Sequence, residues 1–332
     1  MPELQRRHLV CALARWGGGG LAAGLVPTAL WAQAEKKISL GPKLRIVIPA
    51  NTRTALDTTG RALGDGLVGI GVCDEIEYEN IDGKGGSTAL ETYVKKYAAD
   101  PNTLLVGGMA LLSSTGAYKS ATDITRVRPV ARLTSASLAV VVAKNSPLVS
   151  LNDLVAKLKS APKQTALGGG LLASEDHLLS GLLMRAAGQK VEDLNYTPFS
   201  AGFQMIDAVS QGKVAAAISG YGAFSDDLTS GRLRALAISA KKTTHGIKSM
   251  REQGVDVDLT NWRGVFTGAG VPAARHLALV EGVRAATGYV LWEKTLKEFS
   301  WDSAWLSGPN FASFVDLENK TTQLMAQLLK LG

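Results

Sequence analysis

The chain has 332 residues, 46% of them hydrophobic, with 36 Lys and Arg against 29 Asp and Glu and a formal charge of +7. That length can bury an ample core or divide into two, and two cysteines are too few for a disulfide-stapled scaffold. No run of five basic residues occurs, which argues against nucleic acid as a partner; a moderate, dispersed positive excess suits anionic ligands.

The first residues read as an export signal. Arg6 and Arg7 give a positive start, Leu9 to Trp31 is mostly apolar and small, and Ala32-Gln33-Ala34 is an A-x-A cleavage site. Arg15, Gly17 to Gly20 and Pro27 interrupt the segment too often for a membrane span of about 20 apolar residues. The run RRHLV resembles a twin-arginine signal, and Sec export fits the same segment. Leu9-Val10-Cys11 is a poor lipoprotein signal, because no small residue precedes the cysteine. The expectation is a periplasmic protein cut after Ala34. Losing Arg6, Arg7, Arg15 and Glu3 leaves a mature charge of +5 and Cys73 as the one remaining thiol, expected to be buried and inert.

Beyond the signal, short apolar runs alternate with longer helical patterns, the signature of α/β layers with mainly parallel strands. The first is the strand Leu44–Ile48, broken at Pro49 and followed by a polar loop and a helix opening at Asp57. Strands follow at Glu75–Tyr78, Thr103–Val106, Ala139–Ala143, Gln164–Leu167, Ala215–Ile218 and Leu233–Ile238. Helices are expected over Thr88–Ala99, Leu151–Lys159 (with a capping box from Ser150 to Asp153), His177–Ala187, Gln204–Gln211, Ala273–Thr287 and Asn310–Leu329. In the last helix Phe311, Phe314, Leu317, Leu324 and Leu328 recur at spacings of three, four and seven and predict a core face.

Several strands end in glycine: Gly107-Gly108, Gly168-Gly169-Gly170 and Gly220-Tyr221-Gly222. Ligands of open α/β sheets sit outside the carboxyl ends of strands, where unpaired helix N–H groups and the positive dipole end favour a small anion. Catalytic motifs are missing. Gly64-Asp65-Gly66-Leu67-Val68-Gly69 matches GxGxxG, but a helix rather than a strand precedes it. Ser219 lacks the glycine two residues earlier that a nucleophile elbow requires. His8, His177, His245 and His276 have no metal-ligand spacing, and His177, at a helix start beside Asp176, reads as a neutral hydrogen-bonding residue. Trp262, Trp292, Trp301 and Trp305 read as packing aromatics away from the glycine-rich ends. No cofactor, metal or catalytic group is expected.

The order of IVIPANTRTALDTTGRALG, YENIDGKGGSTAL, DPNTLLVGGM, LGGGLLASEDHLLSGLLMRAAG, NYTPFSAGFQMIDAVSQGKVAAAISGYG and NWRGVFTGAGVP resembles the periplasmic solute receptors of tripartite tricarboxylate transporters, the Bug-type receptors. The resemblance covers essentially the whole mature chain. It implies a two-lobed binding protein, type II-like, each lobe a mainly parallel sheet flanked by helices, closing without catalysis on a small organic acid and delivering it to membrane transporter subunits as a monomer. It implies a first lobe of residues 35–142 plus 262–332 and a second of 143–261, with crossings near Val142 and Trp262. Ligand contacts implied by motif are Asn51, Thr52, Arg53, Thr54 and Asp57 of the first loop, Gly86 and Ser87 at the next helix start, and Gly107 and Met109 after the third strand. The second lobe adds Gly169, Gly170, Ser174, Asp176, Ser200, Gly202 and Tyr221.

The first loop departs from the family. Relatives usually carry a glycine-rich loop ending in the counterpart of Asp57, whereas Asn51 to Leu56 contain no glycine. Likewise Leu171-Leu172-Ala173 and Phe203-Gln204-Met205 replace smaller residues, so the site is expected to be smaller, more apolar or occupied by these side chains. Asp57 either organises ligand-bound water or caps the helix. Arg53 either pairs bidentately with a carboxylate or is a solvated loop arginine. An alternative to the transport receptor is a receptor-derived sensor with an altered ligand site. An exported hydrolase would need a nucleophile–base pair that the chain does not offer.

Overall fold

Residues 46–48 are apolar and wholly buried on both sides of their strand, the pattern of a sheet covered by helices on each face. The computed structural model describes residues 38–117, 120, 122–257 and 259–328, so the export signal and its cleavage site lie outside the described residues. The strands are β1 (Lys43–Ile48), β2 (Glu75–Asn80), β3 (Thr103–Gly108), β4 (Val127–Ala143), β5 (Leu167–Gly169), β6 (Tyr196–Pro198), β7 (Ala216–Gly220), β8 (Leu233–Ile238), β9 (Thr260–Gly268) and β10 (Asp302–Ser307). The helices are α1 (Ala55–Gly69), α2 (Ser87–Tyr97), α3 (Met109–Ala117), α4 (Leu151–Ser160), α5 (Glu175–Ala186), α6 (Gly202–Ser210), α7 (Ser225–Thr229), α8 (Ala273–Ala286), α9 (Val290–Glu298) and α10 (Gly308–Leu328).

The sheet runs β2-β1-β3-β9-β4-β7-β5-β6, with β8 and β10 also on β4. Pairing is parallel among β1, β2 and β3 and among β5, β6 and β7, and antiparallel wherever β4 or β9 takes part. Strand β4 belongs to both halves. Its residues 127–137 pair with β9, and its residues 138–143 pair with β7 and β8. Ser239 sits at this handover: its hydroxyl accepts from the Leu138 amide and donates to the Leu259 carbonyl, tying both chain passages together.

The first stretch of β4 escaped the sequence pattern because VRPVARLTSAS is broken by Arg128, Pro129 and Arg132. The strand absorbs them with register shifts at Pro129/Ala131 and Arg132/Thr134, the setting in which a sheet tolerates proline. Short, polar β10 and three-residue β6 carry too little periodicity to read. The GxGxxG match lies inside α1, not after it. In α10 the buried positions are Phe311, Val315, Asn319, Thr322 and Ala326, while Leu317 and Leu324 are 63% and 55% exposed. The face is set by packing on α3 and β4, where Thr322 meets the Met109 sulfur at 3.7 Å, and this shifts it from the leucine spacing. The capping box at Ser150 and Asp153 forms, and Cys73 is buried.

Candidate functional site

The first loop is built by its own hydrogen bonds. Helix α1 starts at Ala55, two residues before the expected Asp57, because Thr54 rather than Asp57 is its N-cap and accepts from the Asp57 amide at 3.3 Å. Asp57 turns back into the loop. Its carboxylate accepts from the Arg53 amide at 2.9 Å, from Asn80 Nδ2 at 2.9 Å and from Arg61 Nε at 3.0 Å. Burial would raise this carboxyl, and the donors, Arg61 foremost, outweigh it and hold it below the usual carboxylate range. The glycine missing from the loop is replaced in conformation by Arg53 itself, which adopts φ 65° with its side chain exposed. A left-handed residue with a Cβ carries a penalty of roughly 1–2 kcal/mol, which the amide's bond to Asp57 offsets.

Beside this loop lies a cavity of about 170 Å³, lined by Thr54, Ala55, Leu56, Gly108, Met109, Ala110, Glu175, Asn261, Trp262 and Arg263. Helices α1, α3 and α5 all begin there, at Ala55, Met109 and Glu175. Their first N–H groups have no partner within their helices, and their dipoles present positive ends. The close approach of β3 and β9 brings α3 into place. Gly108 pairs in register with Arg263, and a Cβ on Gly108 would strike the Trp262 carbonyl, so only glycine lets the strands meet there.

Arg263 is the most unusual group in the cavity wall. It is 4% exposed, its guanidinium carbon stands 4.3 Å from the Trp301 ring centroid, and its Nη1 has no hydrogen-bond partner among the described residues. Burial pushes its pKa down to about 10, and the nearby Glu175 pulls in the opposite direction, so it stays cationic at neutral pH. Glu175, the first residue of α5, accepts from Asn261 Nδ2. Behind it Asp176 is 5% exposed and accepts from the Gly170 amide at 2.8 Å; burial and the adjacent Glu175 raise its carboxyl well above the ordinary range. His177 is neutral, as expected. Its Nδ1 accepts from the Ala173 amide at 3.1 Å, its ring stacks on Tyr196, and burial lowers its pKa to about 4.

Of the residues singled out in the sequence, Thr54 and Met109 line the cavity. Asn51 and Thr52 are exposed, and Asn51 Nδ2 donates to Asp82 at 2.6 Å. Gly86 and Ser87 begin α2, where the buried Ser87 hydroxyl meets Ser114 at 3.3 Å. Gly107 is in β3, against Phe266. Gly169 ends β5, Gly170 binds Asp176, and Ser174 caps α5. Ser200 is exposed before α6, which Gly202 opens, and Tyr221 stacks on His245 at 3.9 Å. Leu171, Leu172 and Phe203 do not fill the cavity; they are 60%, 56% and 67% exposed. Trp262, read as remote from any site, is in the cavity wall, wholly buried and edge-on to Phe311 and Phe314. Sequence reasoning passed over Asn261 and Arg263; Glu175 lies inside the second-lobe stretch from Gly169 to Asp176 but was not singled out. The available signal was a lone arginine in the run Trp262 to Phe266, since an arginine within an apolar strand is rarely buried without a reason.

The family described as "Tripartite tricarboxylate transporter family receptor" matches residues 71–330. The chain belongs to this receptor family. Among similar proteins is Protein BugT of Bordetella pertussis, 29% identical over 222 residues, which cover 64% of this chain. The match spans 65% of that relative's length, just under two thirds. A TctC solute binding protein from Polaromonas has a TM-score of 0.73 at 17% identity, covering 86% of this chain and 98% of its own. MatC of Rhodopseudomonas palustris, solved with bound malate, has a TM-score of 0.71 at 21% identity, with 86% and 98% covered. These family receptors are solute-binding proteins with the two-lobed α/β fold, in which the chain's own sheet of two halves finds its counterpart.

Proposed function

We propose that this receptor is an extracytoplasmic solute-binding protein that captures a small carboxylate in the cavity at Arg263, leaves it chemically unchanged, and delivers it to membrane transporter subunits. The carrying observation is the buried Arg263 guanidinium in the cavity wall where α1, α3 and α5 begin, whose Nη1 lacks a partner among the described residues. An unsatisfied buried charge is costly, and an anion in the cavity supplies what it lacks. Bound malate in MatC supports the same ligand chemistry. The cavity is below the roughly 300–1,000 Å³ of sites for drug-sized ligands, which favours an acid of few heavy atoms. Export and cleavage after Ala34 belong to this reading, as does a monomer in two lobes with chain crossings near Val142 and Trp262. Of the ligand contacts expected from the family, Thr54 and Met109 are the ones that meet the ligand in this reading.

Isothermal titration calorimetry of the mature chain against small mono- and dicarboxylates tests the proposal, with the ligand recovered and analysed afterwards. The expected result is one site per chain and unaltered ligand. No heat with any carboxylate, or conversion of ligand by pure protein that is lost on altering a cavity residue, would overturn it.

A further inference from the structure

Arg263 and Glu175 line the same small cavity, close enough to interact electrostatically but joined by no hydrogen bond or salt bridge among the described residues. Glu175 is held by Asn261 Nδ2, and Arg263 Nη1 has no hydrogen-bond partner among the described residues. Asn261 and Arg263 are two residues apart on β9, hence on one face of the strand and separated by roughly 7 Å. The strand therefore sets a cationic position and an anionic position side by side, the second through Asn261. Glu175 offsets part of the cost of burying Arg263 and suits the start of α5, yet it also lines the space a ligand would fill. A ligand with a second carboxylate would meet Glu175 as a like charge, at a loss in affinity of about a hundredfold.

Resting on the carboxylate-capture reading above, we infer that the ligand is a zwitterion: an amino-bearing monocarboxylate whose carboxylate is held by Arg263 with the N-termini of α1 and α3, and whose ammonium is held by Glu175. The α1 and α3 starts add positive potential for the ligand carboxylate. The limited volume restricts the remainder of the ligand to a short side chain or a short spacer.

The test is a calorimetric panel on the mature chain. Glycine, L-alanine, β-alanine and 4-aminobutyrate offer an amine at increasing distance; lactate offers a neutral donor, propionate none, and malate and succinate a second carboxylate. The expected order has an amino acid at least tenfold above propionate and above both dicarboxylates, with lactate between. Glu175→Gln should lower the amino acid's advantage over propionate by tenfold or more and raise malate affinity. Its circular dichroism should match wild type. Succinate or malate binding more tightly than every amino acid would overturn the zwitterion inference while leaving carboxylate capture intact, and so would an amino-acid-to-propionate ratio unmoved in Glu175→Gln. Failure of all eight acids to bind would remove the capture reading and this inference together.

Discussion

Replacing Arg263 by Met separates a binding arginine from a structural one, because the two roles predict opposite effects on the empty protein. The guanidinium's pKa falls from an ordinary 12.5 to about 10 on burial. At about 1.4 kcal/mol per tenfold, holding it charged there disfavours the unliganded fold by about 3 kcal/mol. The cation–π contact with Trp301 returns roughly 0.5–2 kcal/mol. Arg263→Met keeps similar length and apolar volume, so the empty variant should be more stable than wild type by about 1–2 kcal/mol. For a domain this large that raises Tm by roughly 2–4 °C. Binding should move the other way. A hydrogen bond to a charged group contributes roughly 1.5–3 kcal/mol, so affinity should drop by about ten- to a hundredfold. Differential scanning fluorimetry without and with ligand reads both effects, because ligand raises Tm only as far as it binds the folded state. A less stable empty variant that keeps wild-type affinity would refute the reasoning and make Arg263 a packing residue.

Gly66→Ala tests the seam between α1 and α8. An alanine usually gains about 1 kcal/mol over glycine in a helix, but here its Cβ would lie 2.8 Å from the Ala286 carbonyl, which as backbone cannot swing away. Overpacking of about 1–3 kcal/mol should win, and urea unfolding should show a lower midpoint; a higher one would mean that the helices separate freely. His276, 5% exposed, has its pKa lowered to about 4 by burial, with Arg128 adding repulsion. The unfolded chain takes up that proton near 6.5, so the stability carried by the neutral imidazole is complete above pH 6.5 and is lost as pH falls toward 4. Wild type should therefore lose ground to His276→Gln across that window, and a pH-independent difference would contradict the burial effect. Intact-mass analysis of exported protein should give a chain beginning at Glu35, and a periplasmic product retaining residues 1–34 would disprove the cleavage site.

How much was legible depends on whether periodicity or tertiary pairing decides an element. Strand β8 matches its sequence bounds, and β1 and α4 fall within a residue of theirs, because apolar pattern and capping chemistry are local. Strand β9 was invisible. Asn261 and Arg263 interrupt its pattern, and the strand exists because β3 and β4 pair with it on both sides. The same fact hid the cavity wall. An arginine on a central strand looks in sequence like a break in a strand, whereas Arg53 in a polar loop looks available; the structure leaves Arg53 in solvent and brings Arg263 to the cavity. The expectation of helix N-termini at a crevice needed only strand–loop–helix order, so it survived without knowledge of packing.

The central claim is that an anion completes Arg263. A crystal structure of the mature chain with the tightest-binding acid of the calorimetric panel tests it most directly. The account predicts a ligand carboxylate oxygen within hydrogen-bond distance, about 3 Å, of Arg263 Nη1, with its other oxygen on amides at the start of α1 or α3. Ligand density away from this cavity, with Nη1 bonded only to protein or water, would contradict it.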